Sequence, residues 1–88
     1  MNCYYLQIEG MGFENGTVCV PCVFAFLKEI EKQKGVMSVR FLSMEKEFLV
    51  ASEDPKPEKV KKRALEALKK AGLSLGKEFR LRSVRTCC

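Results

Sequence analysis

The sequence predicts an α+β domain of the ferredoxin-like type: a four-stranded antiparallel sheet with two helices on one face. Three observations predict it. Two stretches carry apolar residues at helical spacing, and four carry apolar and branched residues in strand-like runs. These stretches follow one another in the order β-α-β-β-α-β, the split βαβ arrangement. The chain has 88 residues, 47% of them hydrophobic and 31% charged with both signs interspersed. That suits one small core burying roughly two-thirds of the unfolded surface, and it is too apolar and too balanced for a disordered segment. We therefore expect a single domain over residues 1–88, with a short cysteine-ending tail at 85–88.

The first strand is read in Tyr4-Tyr5-Leu6-Gln7-Ile8, where Tyr4, Leu6 and Ile8 share one face. Glu9 to Val18 reads as a loop, because Gly10, Gly12 and Asn15-Gly16 tolerate positive φ. Pro21 suits the first turn of the following helix, where a missing N–H is no loss. Val23, Phe26, Leu27 and Ile30 then repeat at i, i+3, i+4 and i+7, and Gly35 is the expected stop.

Val36 to Leu42 reads as the second strand, with Met37, Val39 and Phe41 alternating against Ser38 and Arg40. A turn over Ser43 to Glu47 joins it to Phe48-Leu49-Val50-Ala51 as a hairpin. Ser52 to Pro57 breaks the pattern. Val60, Ala64, Leu68 and Ala71 then form the stripe of a basic helix, edged by Leu65 and Ala67 and stopped by Gly72. Phe79, Leu81 and Ser83 alternate with Arg80, Arg82 and nearby Arg85 in a last, half-exposed strand.

The chain has no histidine, so its soft ligands are its five cysteines: Cys3, Cys19, Cys22, Cys87 and Cys88. An odd count with closely spaced pairs argues against a secreted disulfide framework and towards metal or redox use. Cys19-Val20-Pro21-Cys22 lies where the glycine-containing loop meets the first helix. The helix N-terminus stabilises a thiolate there, and two thiolates on one loop suffice for a soft ion. The pair by itself leaves three readings open: metal binding, dithiol redox chemistry, or an incidental structural role.

The residues around the pair resemble the heavy-metal-associated domain, the module of copper chaperones, of metal-transporting P-type ATPase tails and of small mercury-binding carriers. The resemblance rests on Gly10-Met11, Cys19-Val20-Pro21-Cys22, Gly35-Val36 before Val39 and Phe41, Asp54-Pro55, and Ala71-Gly72-Leu73, and covers about Tyr5 to Leu73. It implies a metal site made by Cys19 and Cys22, with Met11 and Leu73 as apolar packing that keeps water from the sulfurs. The cargo it implies is Cu(I) first, with Hg(II) and Zn(II) as alternatives. The implied partner is a metal-transporting ATPase or another metal-accepting protein, and a metal-bridged homodimer is the self-associated form. The chain departs from the family pattern in two places: the stretch Gly12 to Val18, including Phe13, is inserted before the first cysteine, and a proline stands inside the pair.

A two-thiolate site leaves its ion open to attack by a partner thiol, which suits carriage, whereas a closed four-ligand site would hold zinc structurally. A dithiol oxidoreductase in which Cys19 attacks and Cys22 resolves is the alternative. A thioredoxin-like fold would need a proline before a later strand and facing the cysteines, yet Pro55 and Pro57 precede a helix. A third reading is an interaction domain whose metal function has lapsed. Cys3, Cys87 and Cys88 form a candidate second thiol site, because the last strand is expected to return beside the first.

The sequence holds no carboxylate pair, serine–histidine set or phosphate-cradling loop, so the expectation is a protein that is not an enzyme. Its net charge of +5 comes largely from Lys56 to Lys70 and Lys77 to Arg85 and would steer it to an acidic partner. No aromatic stacking motif accompanies the charge, so nucleic acid is not expected as a ligand. The apolar runs are shorter than the ~20 residues of a membrane span. The first residues lack the pattern of a signal peptide, so the expected location is cytoplasmic.

Overall fold

The computed structural model describes residues 2–13, 16 and 18–86. Six elements run in the order β1 (Asn2–Glu9), α1 (Val20–Glu31), β2 (Val36–Leu42), β3 (Glu47–Ser52), α2 (Pro57–Leu75) and β4 (Arg80–Thr86). The strands form one sheet of order β2-β3-β1-β4, with each neighbouring pair antiparallel. The two helices pack against each other on one face of it, as the order of elements predicts.

The core lies between that face and the helices. Tyr4, Leu6, Ile8, Phe48 and Val50 from the sheet meet Val23, Phe26 and Ile30 of α1 and Val60, Ala64, Ala67 and Leu68 of α2. Four phenylalanines make its densest part. Phe26 meets Phe48 edge-on at 4.8 Å, Phe41 lies 5.1 Å from Phe48, and Phe13 stacks on Phe41 at 5.6 Å. Burying one such ring is worth about 1.5–3 kcal/mol, and a well-placed ring pair adds about 0.5–1.5 kcal/mol. Phe13 therefore anchors the inserted loop to the sheet, and Lys46 Nζ reaches its carbonyl at 3.4 Å.

Helix ends and strand faces differ from the sequence expectation in four places. Helix α1 ends at Glu31, where the Lys32 N–H reaches the carbonyls of Glu29 and Ile30, so Gly35 is not its stop. Helix α2 runs through Gly72 to Leu75 and is capped by Gly76 in the left-handed conformation. In β2 the register shifts between Val36 and Ser38, so Val36, Val39 and Phe41 pack on the core while Met37 is exposed. In β4 a second irregularity sets Leu81 against Ile8 and Val84 against Leu6, so Val84 replaces Ser83 on the core side. An extra residue in one strand flips the alternation beyond it, which a strict period of two cannot anticipate.

The open face of the sheet carries a polar chain across three strands. Ser83 Oγ donates to Gln7 Oε1 at 3.2 Å, Gln7 Nε2 donates to Glu47 Oε1 at 2.7 Å, and Arg85 donates to the same Glu47 oxygen. The Arg85 guanidinium also lies 5.3 Å from the centre of the Tyr5 ring. Among the described residues no helix is long and apolar enough to cross a membrane.

Candidate functional site

The cysteine pair sits where the sequence places it, at the start of α1. Cys19 is the N-cap residue, with extended φ and ψ of −80° and 95°, and its carbonyl accepts the first helical bond from the Val23 N–H at 3.1 Å. Cys22, one turn in, is fully buried among the core residues, while Cys19 is half-buried. The two Cα atoms are 5.2 Å apart and the sulfurs are joined as a disulfide. The pair is therefore present in its oxidised form, and both sulfurs are within reach of one ion once that bond is reduced.

The inserted loop does not displace the residue expected beneath the site. The Cys19 N–H donates to the Met11 carbonyl at 2.8 Å, so the chain leaves at Met11 and returns beside it at Cys19. Met11 is completely buried. The insertion is thus closed off at its base, with Phe13 as its foothold in the core. Leu73, expected as apolar packing beside the sulfurs, lies at the surface, 77% exposed. The reason is the longer helix. With α2 running on to Leu75, position 73 faces solvent rather than ending the helix beside the pair.

Lys77 stands in its stead. Its Nζ lies 3.5 Å from the Cys19 sulfur and donates to it. Two glycines bring the backbone around Lys77 this close. A Cβ on Gly72 would lie 2.4 Å from the Lys77 carbonyl oxygen, and one on Gly10, whose φ is +99°, would lie 2.6 Å from that of Glu78. Both are contacts with backbone, so any other residue would push the segment outward. The Lys77 N–H returns to the Gly72 carbonyl at 2.9 Å. In the sequence Lys77 is one of sixteen basic residues, and only the glycine pair at 72 and 76 marks its position.

Lys77 matters because little else supports Cys19 electrostatically. An N-cap side chain ordinarily accepts from the N–H of the second or third helical residue. Here the cap makes no such bond, and Pro21, in the first turn, has no N–H to offer. The ammonium thus supplies a hydrogen bond and a positive charge at the Cys19 sulfur. Val20 and Phe24, one turn apart on the first helix, are both exposed, at 55% and 64%.

Of the second thiol group only Cys3 lies among the described residues. Cys3 is already disulfide-bonded, and Cys87 and Cys88 lie outside the described residues. Tyr4 pairs with Thr86, so β4 does return towards the start of β1, and residues 85 and 86 belong to the strand rather than to a tail. No group of three or more acidic, cysteine or histidine side chains that could hold a metal occurs among the described residues.

The opposite pole, between the end of α1 and the start of α2, is closed by Asp54. Arg63 Nε donates to its carboxylate at 2.7 Å, Ser52 Oγ lies 3.2 Å from the same oxygen, and the buried Tyr4 hydroxyl donates to the Asp54 carbonyl at 2.7 Å. Ser52 Oγ also reaches the Gly35 carbonyl at 3.1 Å, which ties the entry of β2 to the end of β3. The Arg63 hydrogen bond is the main influence on the Asp54 carboxyl and lowers it from its ordinary 3.8. Burial opposes this, and the Arg63 charge and the Ser52 hydroxyl add to the lowering.

No family model and no curated protein sequence matches the chain. Solved structures do resemble it. A copper-binding domain from HMA7, a P-type ATPase, aligns with a TM-score of 0.60 at 18% identity, over 96% of this chain and 97% of that one. The N-terminal domain of PacS from Synechocystis PCC6803 aligns with a TM-score of 0.60 at 22% identity, over 94% of this chain and 100% of that one. The yeast copper transporter domain Ccc2a, solved in apo and Cu(I)-loaded states, aligns with a TM-score of 0.56 at 13% identity, over 94% and 97%. The chain therefore has the ferredoxin-like fold of these heavy-metal-associated domains.

Proposed function

We propose that the chain is a heavy-metal-associated domain that carries one soft metal ion, Cu(I), between the reduced sulfurs of Cys19 and Cys22 and passes it to an acceptor. The observation that carries this reading is the placing of the pair: two sulfurs on one short loop, one of them reachable from solvent, at the open pole of a fold it shares with copper-binding domains. Cu(I) favours thiolate ligands and accepts two. Two thiolates around a monovalent ion leave one net negative charge, which the Lys77 ammonium offsets. Among the described residues no third ligand closes the site, which disfavours structural zinc and leaves a face for an incoming thiol.

Loading requires the disulfide to be opened first. Two electrons from a cytoplasmic thiol reductant give two cysteine thiols, and both lose their protons when the ion binds. Delivery then proceeds by ligand exchange. An acceptor thiolate, from a metal-transporting ATPase or a similar protein, adds to the ion on the Cys19 side while Cys22 still holds it from within. The basic surface and the exposed Val20 and Phe24 suit an acceptor with acidic groups around its own cysteines.

The test is a Cu(I) titration of the reduced protein against a competing chelator. One ion per chain is expected, with binding lost in Cys19→Ser and in Cys22→Ser. Tight binding that survives either substitution, or folded reduced protein that takes up no Cu(I), would remove the reading. The latter result would leave an interaction domain.

A further inference from the structure

The two sulfurs of the pair are not equivalent. Cys22 is fully buried in the first turn of α1, whereas Cys19 is half-buried with Lys77 Nζ 3.5 Å from its sulfur. Metal transfer uses this inequality at the ion, and it also suits a reaction that needs no metal. Thiol–disulfide exchange uses it, because the reaction needs one sulfur that outsiders can reach and another that only its neighbour can reach.

We propose that the reduced pair also exchanges with small disulfides that carry carboxylates, with Cys19 as the attacking sulfur, Cys22 as the resolving sulfur, and Lys77 as the group that selects for negative charge. The Cys19 thiolate attacks one sulfur of the substrate, whose S–S bond breaks, and the departing half takes a proton from water. This leaves a mixed disulfide on Cys19. Cys22 gives up its proton to solvent and attacks the Cys19 sulfur, releasing the second half as a thiol. The product is the Cys19–Cys22 bond present in the structure. Two electrons pass from the dithiol to the substrate, and two equivalents of a small monothiol return the pair to its reduced form. The monothiol attacks at Cys19, because Cys22 is out of reach.

Lys77 supplies the specificity. Its ammonium is exposed and lies 3.5 Å from the reacting sulfur, so it meets a carboxylate on the approaching disulfide. A cationic disulfide gains no such contact. The proposal uses the same cysteines as metal carriage but needs no metal, so either can fail alone.

The experiment uses the full reduced chain with a strong metal chelator present and glutathione disulfide as the anionic probe. Cys22→Ser is expected to accumulate a mixed disulfide of one glutathione unit on Cys19, and Cys19→Ser to form none on Cys22, as located by fragmentation mass spectrometry. Should Cys22→Ser not fold, alkylation of the reduced unmutated protein gives the same answer. Cys19 is expected to be labelled at least roughly tenfold faster than the buried Cys22. Lys77→Gln should slow attack on glutathione disulfide by roughly five- to tenfold and on the cationic disulfide cystamine by less. Equal labelling of the two cysteines, adducts on Cys22, or a Lys77→Gln rate unchanged towards both disulfides would overturn the proposal.

Discussion

The two ends of the molecule are built in opposite ways. At the Asp54 end a carboxylate, a guanidinium, two hydroxyls and two backbone carbonyls satisfy one another, with Tyr4, Ser52 and Asp54 buried and Arg63 partly exposed. At the cysteine end one sulfur is left half-open, an ammonium rests against it with no carboxylate paired to it among the described residues, and Val20 and Phe24 of α1 stand exposed. Both ends tie the helices to the sheet. Only one keeps unspent bonding capacity, and the comparison teaches where chemistry is to be sought: not where polar groups are most numerous, but where they are incompletely used.

Substitutions at each end should therefore separate stability from reactivity. The largest combined effect is expected from Gly72→Ala. Its new methyl meets the Lys77 carbonyl, a backbone atom that cannot rotate away, so the loop before β4 must shift. We expect a loss of about 1–3 kcal/mol in denaturant unfolding together with slower alkylation of Cys19. A normal Cys19 rate in the destabilised protein would mean that Lys77 does not tune the sulfur.

Tyr4→Phe probes the sealed end. It removes the hydroxyl that donates to the Asp54 carbonyl and should cost about 1–2 kcal/mol while leaving Cys19 alkylation and Cu(I) binding as they were. Altered metal binding in this variant would show that the two ends are coupled.

The smallest effect is one of pH. Asp54 has a folded value below its ordinary 3.8, so it contributes stability that is fully present above that value. The contribution is lost as pH falls below 3.8 towards the lowered folded value, where protonation weakens the pairing with Arg63. Acid unfolding followed by circular dichroism should therefore be less steep below pH 3.8 in Asp54→Asn than in the unmutated chain.

Much of this was legible in the sequence, and the failures are physically specific. The order of elements and the core of β1, α1 and β3 follow from hydrophobic spacing alone, because Tyr4, Leu6, Ile8, Phe26 and Phe48 have no alternative face to occupy. The strand irregularities at Met37 and near Ser83 were not legible, since a bulge depends on the partner strand. Gly72 misled for a related reason: it reads as a stop, yet it serves as a gap through which another backbone passes. Lys77 carries no local signal for the same reason, since its nearness to Cys19 crosses 58 positions of chain. Phe13 carried no periodic signal, being a single anchor in a loop, and its stacking on Phe41 is a property of the folded state alone.

The central claim is that two sulfurs, those of Cys19 and Cys22, are the whole protein contribution to the bound ion. X-ray absorption at the copper edge of the phosphine-reduced, Cu(I)-loaded protein, in a buffer free of small thiols, tests it most directly. A first shell of two sulfur atoms that disappears in Cys19→Ser is the result expected. A shell of nitrogen or oxygen neighbours, or one that Cys19→Ser leaves intact, would contradict it.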